Sequence, residues 1–253
     1  MPRILITGAS SGLGAAIARH YAGPDTMLLL WGRDRTRLEA VAGDCRRAGA
    51  TVATRSMDLV DSAAAIAAVG EEDAAGPIDI AVLAAGSGDI RVAGERVENP
   101  AQVARLGIVN FVTPSAMAAT LANRMAARGH GHIILIGSAA AFHALPFATA
   151  YAGSKAGLAR FAQALRIGMA PHGVRVLLAS PGFIDTPGGR KVPAPQRLLV
   201  QPAYVAARIA DASAKGRAHL ILPWPFTLLR LVDRLLPARL RDRLLLSLRS
   251  PTG

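Results

Sequence analysis

Tyr151 and Lys155 stand four residues apart in a chain of 253 residues that has three tyrosines and three lysines. On a helix, that spacing puts both side chains on one face. A phenol with a pKa near 10 is a poor acid–base catalyst at neutral pH unless its anion is stabilised. A nearby ammonium supplies that stabilisation. Ser138 follows an apolar run at 132–136 that reads as a strand. Ligands in open α/β sheets gather beyond the carboxyl ends of strands. Asn110 lies in a helical stretch at 100–128. Taken singly, Tyr151 would be a half-buried aromatic and Lys155 a solvated helix residue. The scarcity and spacing together point to proton transfer on an oxygen.

A second chemistry opens the chain. The run Thr7-Gly8-Ala9-Ser10-Ser11-Gly12-Leu13-Gly14 follows a short apolar strand and leads into a helix. Glycines there permit a tight turn and let the backbone approach a pyrophosphate, which the helix N-terminus then favours. The spacing is G-x-x-x-G-x-G, and its place at the first strand–helix junction carries the reading, since glycines also serve plain turns. After the second strand comes Gly32-Arg33-Asp34. An NAD site would place an acid there for the ribose 2′-hydroxyl. Arg33 instead offers a guanidinium fork suited to a phosphate. This predicts NADP(H) in preference to NAD(H), with a solvated loop arginine as the alternative. Asp58-Leu59 is placed to meet the adenine, unless Asp58, like Asp61, starts the next helix as its cap.

These residues need a frame. Strands are predicted over 3–6, 27–31, 51–56, 78–83, 132–136, 174–179 and 218–222. Helices are predicted over 13–22, 35–48, 61–72, 100–128, 151–169 and 202–214. Several strands are apolar on successive residues, as strands covered on both faces are. The βαβ order gives a doubly wound parallel seven-stranded sheet, an α/β Rossmann fold with helices on both faces. Residues 1–222 form this domain. A proline-rich stretch at about 183–201 reads as a substrate lid. Residues 223–253 form a Leu/Arg-rich extension.

Composition narrows the class. The net charge is +12, but nearly all the basic residues are arginines spread through an Ala/Gly/Arg-heavy chain. A nucleic-acid binder would more often cluster them. One cysteine, Cys45, excludes an internal disulfide framework and a cysteine-based zinc site. No metal ligand set is expected. No run of about 18 apolar residues is present, and Met1-Pro2-Arg3 leads straight into a strand. A cytoplasmic protein is expected.

The chain resembles the short-chain dehydrogenase/reductase family over nearly its whole length. The resemblance rests on Thr7-Gly8-x-x-x-Gly12-x-Gly14, Asn110, Ser138 thirteen residues before Tyr151, Tyr151-x-x-x-Lys155, and Pro181-Gly182. It implies hydride transfer between NAD(P)H and a carbonyl or alcohol. Tyr151 would be the general acid/base and Ser138 would hydrogen-bond the substrate oxygen. Lys155 would hold the nicotinamide ribose and lower the Tyr151 pKa. Asn110 would hold a water in a proton relay. Ile184 and Thr186 match positions that contact the carboxamide, and Ala85 and Gly86 lie where the adenosine ribose is approached. The chain departs from the family at Leu83-Ala84-Ala85-Gly86, where Asn-Asn-Ala-Gly is usual. Members are commonly homodimers or homotetramers.

The tail divides at Pro237 into two helical patterns, and residues 226–250 carry six arginines and two aspartates, a net +4. Its leucines would pack on the body, the lid or another subunit, or lie at a membrane interface. The tail resembles a bacterial subgroup of the family that includes decaprenylphosphoryl-2-keto-ribose reductase. The expected activity is NADP(H)-dependent reduction of a ketone or aldehyde, or oxidation of the alcohol. The alternatives are a reductase of a lipid-linked keto-sugar, peripheral to the inner face of the membrane, and a non-catalytic NADP-sensing module. The substrate is a small carbonyl compound or alcohol, amphiphilic if the tail resemblance holds.

Overall fold

A computed structural model describes residues 1–92, 94–191 and 198–247. Seven parallel strands form one sheet: β1 (Arg3–Thr7), β2 (Met27–Gly32), β3 (Thr51–Ser56), β4 (Ile80–Leu83), β5 (Gly131–Ile136), β6 (Val174–Pro181) and β7 (His219–Leu222). Their order is β3-β2-β1-β4-β5-β6-β7. Successive strands run outward one way from β1 to β3, then the other way from β4 to β7. The crevice between β1 and β4 is therefore the switch point, where such sheets bind ligands.

The alternation of side chains across the strands divides the core into two layers. Ile4 and Ile6 enter one layer and Leu5 the other. The first layer is closed by α1 (Gly12–Tyr21), α2 (Arg35–Arg47) and α7 (Pro202–Ala214). The second is closed by α3 (Ser62–Ala75), α5 (Thr113–Ala127) and α6 (Thr149–Met169). The seven predicted strands are all present, with β4 starting two residues later than its apolar run suggests.

The long helix expected over 100–128 is not one element. Asn99 caps α4 (Pro100–Gly107), accepting from the Ala101 N–H at 2.9 Å. A π-helical turn, Ile108–Val112, then joins α4 to α5. Such turns insert an extra residue into a helix and are frequent at functional sites; this one carries Asn110.

Two helices follow the sheet, α8 (Pro225–Leu235) and α9 (Ala238–Ser247). Proline and the residue before it break the helix at the predicted point. Only Phe226 and Leu245 among their large apolar residues are buried, while Leu228, Leu231, Leu235 and Leu240 are each more than half exposed. Within the described residues, then, the α8 leucines are left uncovered and only Leu245 of the tail leucines is buried. Of the expected lid, Pro193 and Pro195 lie outside the described residues, as do Leu248 and the tail beyond it.

Candidate active site

The glycine turn is built by close approach. Gly8 has φ +70°, and a Cβ added to it would lie 2.8 Å from the Ala85 Cα. A Cβ at Gly14 would lie 2.3 Å from the Gly8 carbonyl oxygen. Any side chain at either position would force the β1 turn away from the end of β4 or from the start of α1. Gly12, at φ +55°, is the third glycine in the turn. Ser11 stands at the N-cap of α1 in an extended conformation, yet its side chain caps nothing. Its hydroxyl and the first N–H groups of α1, which the helix itself leaves unused, form a donor set suited to phosphate. Leu13 packs back on the core. Ser10 touches the end of β2, where a Cβ on Gly32 would lie 2.9 Å from the serine Cβ.

Beyond Gly32, two neighbours have divergent tasks. Asp34 caps α2, accepting from the Arg37 N–H at 2.9 Å and from Arg37 Nε at 2.7 Å. These bonds hold its carboxyl below its ordinary pKa. Arg33 is exposed, and among the described residues no bond or ion pair engages its guanidinium. The acid is committed to the helix, and the arginine is unengaged among the described residues. The same division settles the next junction. Asp61 caps α3 through the Ala64 N–H at 2.9 Å, so Asp58 is exposed beside buried Leu59 and need not start the helix. The Leu59 carbonyl accepts from the buried Thr113 hydroxyl at 2.7 Å. These residues fit a nicotinamide dinucleotide: a glycine turn, N–H groups left over at a helix start and an arginine at the end of β2.

The end of β4 lacks the usual amides, and other groups take their place. The Thr7 hydroxyl accepts from the Ala85 N–H at 3.1 Å. Asn110, fully buried, accepts from the Ser87 N–H at 2.8 Å and donates to the Ser87 carbonyl at 2.8 Å. It also reaches the Ser154 hydroxyl at 3.3 Å. Between these anchors lies Gly86, where a Cβ would stand 3.0 Å from Asn110 Oδ1 and 3.3 Å from Lys155 Nζ. The chain leaving β4 thus passes directly over both residues, and any side chain there would press on them.

The structure brings Ser138, Tyr151, Lys155 and Asn110 together at the carboxyl ends of β4 and β5. Lys155 is buried and donates to the Ile136 carbonyl, the last of β5, at 2.9 Å. Burial lowers its pKa to about 8. Tyr151 is pushed the opposite way: burial raises its pKa, and a hydrogen bond with Ser138 pulls it partly back. At neutral pH the phenol is protonated and paired with a hydroxyl. The Ser138 Oγ also accepts from the Ala140 N–H at 3.1 Å, capping a short turn of 3₁₀ helix (Ala139–Phe142).

Pro181 ends β6 buried, and Gly182 follows it against the tail: a Cβ there would lie 2.2 Å from the Phe226 ring. Ile184 pairs with Val200 in a parallel bridge, so the two ends of the lid stretch are joined. Thr186 lies over the glycine turn, 3.4 Å from a Cβ placed on Gly12. Its hydroxyl accepts from the Gly189 N–H at 3.0 Å. Arg190 is held by Asp185 at 2.5 Å.

Two supporting residues escape sequence reading. Ser154 donates to the Tyr151 carbonyl at 2.8 Å while meeting Asn110, so it ties the two together. Glu98, buried, accepts from the Thr149 hydroxyl at 2.7 Å and the Ala150 N–H at 3.1 Å. It supplies the cap for α6, whose own N-cap, Ala148, offers no side-chain acceptor. Ser154's position three residues past Tyr151 was a usable signal; nothing in the spacing of Glu98 marks it.

A phosphate cradle at the switch point and a Ser-Tyr-Lys-Asn cluster beside it define a nucleotide-dependent oxidoreductase of the short-chain class. The sequence profile of the short chain dehydrogenase family matches residues 2–197, and the chain belongs to that family. It is an enzyme acting on CH–OH groups or their carbonyl counterparts. An uncharacterized oxidoreductase of Mycobacterium tuberculosis is 34% identical over 245 residues, covering 92% of this chain and 93% of its own. Another, from Streptomyces coelicolor, is 31% identical over 245 residues, covering 95% of each chain. The short-chain dehydrogenase of Sphingobium yanoikuyae in complex with NADPH superposes with a TM-score of 0.80 at 26% identity, covering 99% of this chain and 97% of its own. The bulky-bulky ketone specific alcohol dehydrogenase of Comamonas testosteroni gives 0.79 at 25% identity, covering 99% and 96%. This family membership does not favour the reading as a non-catalytic sensor.

Proposed function

We propose that this protein is an NADPH-dependent reductase of a ketone or aldehyde, with Tyr151 as general acid. The observation that carries the reading is a half-buried Tyr151 whose phenol desolvation keeps protonated, one helical turn from buried Lys155 and beside Ser138 at the end of β5. A phenol held protonated is ready to donate to a carbonyl oxygen, and Ser138 holds that oxygen by a second hydrogen bond. The cofactor, when bound, supplies the hydride. Lys155 carries a buried positive charge that favours the phenolate left after donation, and it would hold the nicotinamide ribose of a bound cofactor. Asn110 Oδ1 has two lone pairs, one of them taken by Ser87; the other is available to a water that returns the proton from solvent.

Gly8, Ser10, Ser11, Gly12, Leu13 and Gly14 hold the pyrophosphate, with Asp58 and Leu59 at the adenine and Ala85 and Gly86 at its ribose. Pro181, Gly182, Ile184 and Thr186 bound the nicotinamide. Arg33 meets the 2′-phosphate, which favours NADPH over NADH. The Sphingobium relative's NADPH complex and the Comamonas relative's ketone specificity support this reading.

Turnover of NADPH against a panel of ketones and aldehydes tests the mechanism. Tyr151→Phe is expected to lower kcat/KM by about 10²–10⁴-fold while leaving NADPH binding intact. An undiminished rate overturns the assignment. Titration of both cofactors tests Arg33: the wild type should prefer NADPH, and Arg33→Ala should lose about tenfold or more for NADPH and little for NADH. Equal wild-type affinities overturn the preference.

A further inference from the structure

The two tail helices are amphipathic in the reverse sense. On α8, Phe226, Arg230 and Asp233 recur at i, i+4, i+7 and face the body. Phe226 packs on Gly182 and, with ring centroids 5.9 Å apart, on Phe183. Arg230 lies 4.5 Å over the Phe142 ring. Asp233 pairs with His143 at 3.3 Å. The opposite face presents Leu228, Leu231, Val232 and Leu235 at i, i+3, i+4, i+7, all turned to solvent. In a surface helix of a globular protein the apolar stripe normally meets the core. Here polar contacts hold the helix down and the apolar stripe points away.

We infer that this face docks on an anionic lipid surface. Leu240 on α9 is also exposed, and exposed Arg239 and Arg243, unpaired among the described residues, stand on the same helix. An apolar stripe accompanied by arginine is the composition of a helix lying in the interface plane, with leucines among the acyl chains and guanidinium groups at the phosphates. A second copy seated on the same face would bring these arginines near their like, which disfavours that occupant. No helix among the described residues is long and apolar enough to cross a membrane, so contact through α8 and α9 is peripheral. The docked helix is fastened to the segment following Ser138 and to Gly182, so the mouth of the site lies next to the surface that would bind lipid.

Sedimentation of the full chain with vesicles of phosphatidylcholine, with and without phosphatidylglycerol, tests the inference. The wild type is expected to pellet with the anionic vesicles and to be released by raised salt. The double variant Leu231→Ser/Leu235→Ser alters exposed positions only and should melt as the wild type does, while losing about tenfold or more of vesicle binding. Arg239→Ser/Arg243→Ser should weaken binding to anionic vesicles selectively. Failure of the wild type to bind, or binding unchanged in the leucine variant, overturns the inference. So does a wild-type dimer in analytical ultracentrifugation that the leucine variant dissolves while neither protein binds vesicles. None of these readouts requires turnover, so they stand apart from the proposed reaction.

Discussion

Helices α5 and α8 are both amphipathic, and they use that property in opposite ways. On α5, Met117, Leu121 and Met125 lie on one face and are wholly buried against the second core layer. On α8 the leucines also line one face, but that face meets water, while an Asp233–His143 contact, an arginine over a ring and a single phenylalanine hold the helix to the body. Periodicity reports that a helix has two faces. It does not report which one the rest of the chain can cover. For α5 the choice is forced by the sheet, which presents an apolar surface that only apolar side chains can close. For α8 the surface beneath is Phe142, His143 and Gly182, which accept one ring and several polar groups.

The contrast can be broken or sharpened by measurement. Leu121→Ala removes a fully buried side chain and should cost about 2–5 kcal/mol in urea denaturation. A cost below about 1 kcal/mol would mean that the inner layer is looser than drawn.

The next effect is set by acid. His132 begins the buried part of β5, bonded through Nδ1 to the Ser213 hydroxyl at 3.0 Å. Burial, with Arg175 assisting, lowers its pKa from 6.5 to about 4. The unfolded chain binds that proton near pH 6.5 and the folded chain refuses it until about pH 4. Stability from this group is therefore complete above pH 6.5 and is lost on the way down to about 4, by roughly 3 kcal/mol. Thermal melts across that window should show the slope, and His132→Gln should remove about half of it, the rest belonging to His219, whose pKa burial also lowers to about 4. A slope unchanged by the substitution would assign the acid sensitivity elsewhere.

Glu98→Gln should cost about 1–3 kcal/mol by weakening the α6 cap, and should lower kcat more than it weakens NADPH binding. A loss confined to stability would leave Glu98 no part in placing Tyr151. The smallest effect belongs to the outer helix. Leu231→Ala should shift stability by no more than about 0.5 kcal/mol, since its side chain is 52% exposed. A penalty like that of Leu121 would show that the tail leucines are covered in solution.

Much of the molecule was readable before its structure. The strands declare themselves because residues such as Leu28, Leu29 and Leu30 are buried on both faces in succession. The glycine turn and the Tyr151–Lys155 pair are local patterns, and local geometry brings them to one edge of the sheet. What was not readable is set at long range. Glu98 caps a helix beginning 51 residues later, and no local rule joins an acid to so distant an N-terminus. Thr7 takes over from the missing amides near Ala85 because β1 and β4 are neighbours, a fact of strand order alone. The break between α4 and α5 has one local mark, Pro114 in the first turn of α5, easily passed over because both sides of it suit a helix.

That break makes the segment before α5 sensitive to its length. The turn at Ile108–Val112 holds one more residue than an α-helical turn would. Removing a single residue there would close the wide turn, bring the Pro114 ring against the carbonyl four residues before it, and take Asn110 off the Ser87 backbone. Substitutions along this stretch have room to vary; insertions and deletions do not. The site is specified here by a count of residues as much as by their identity.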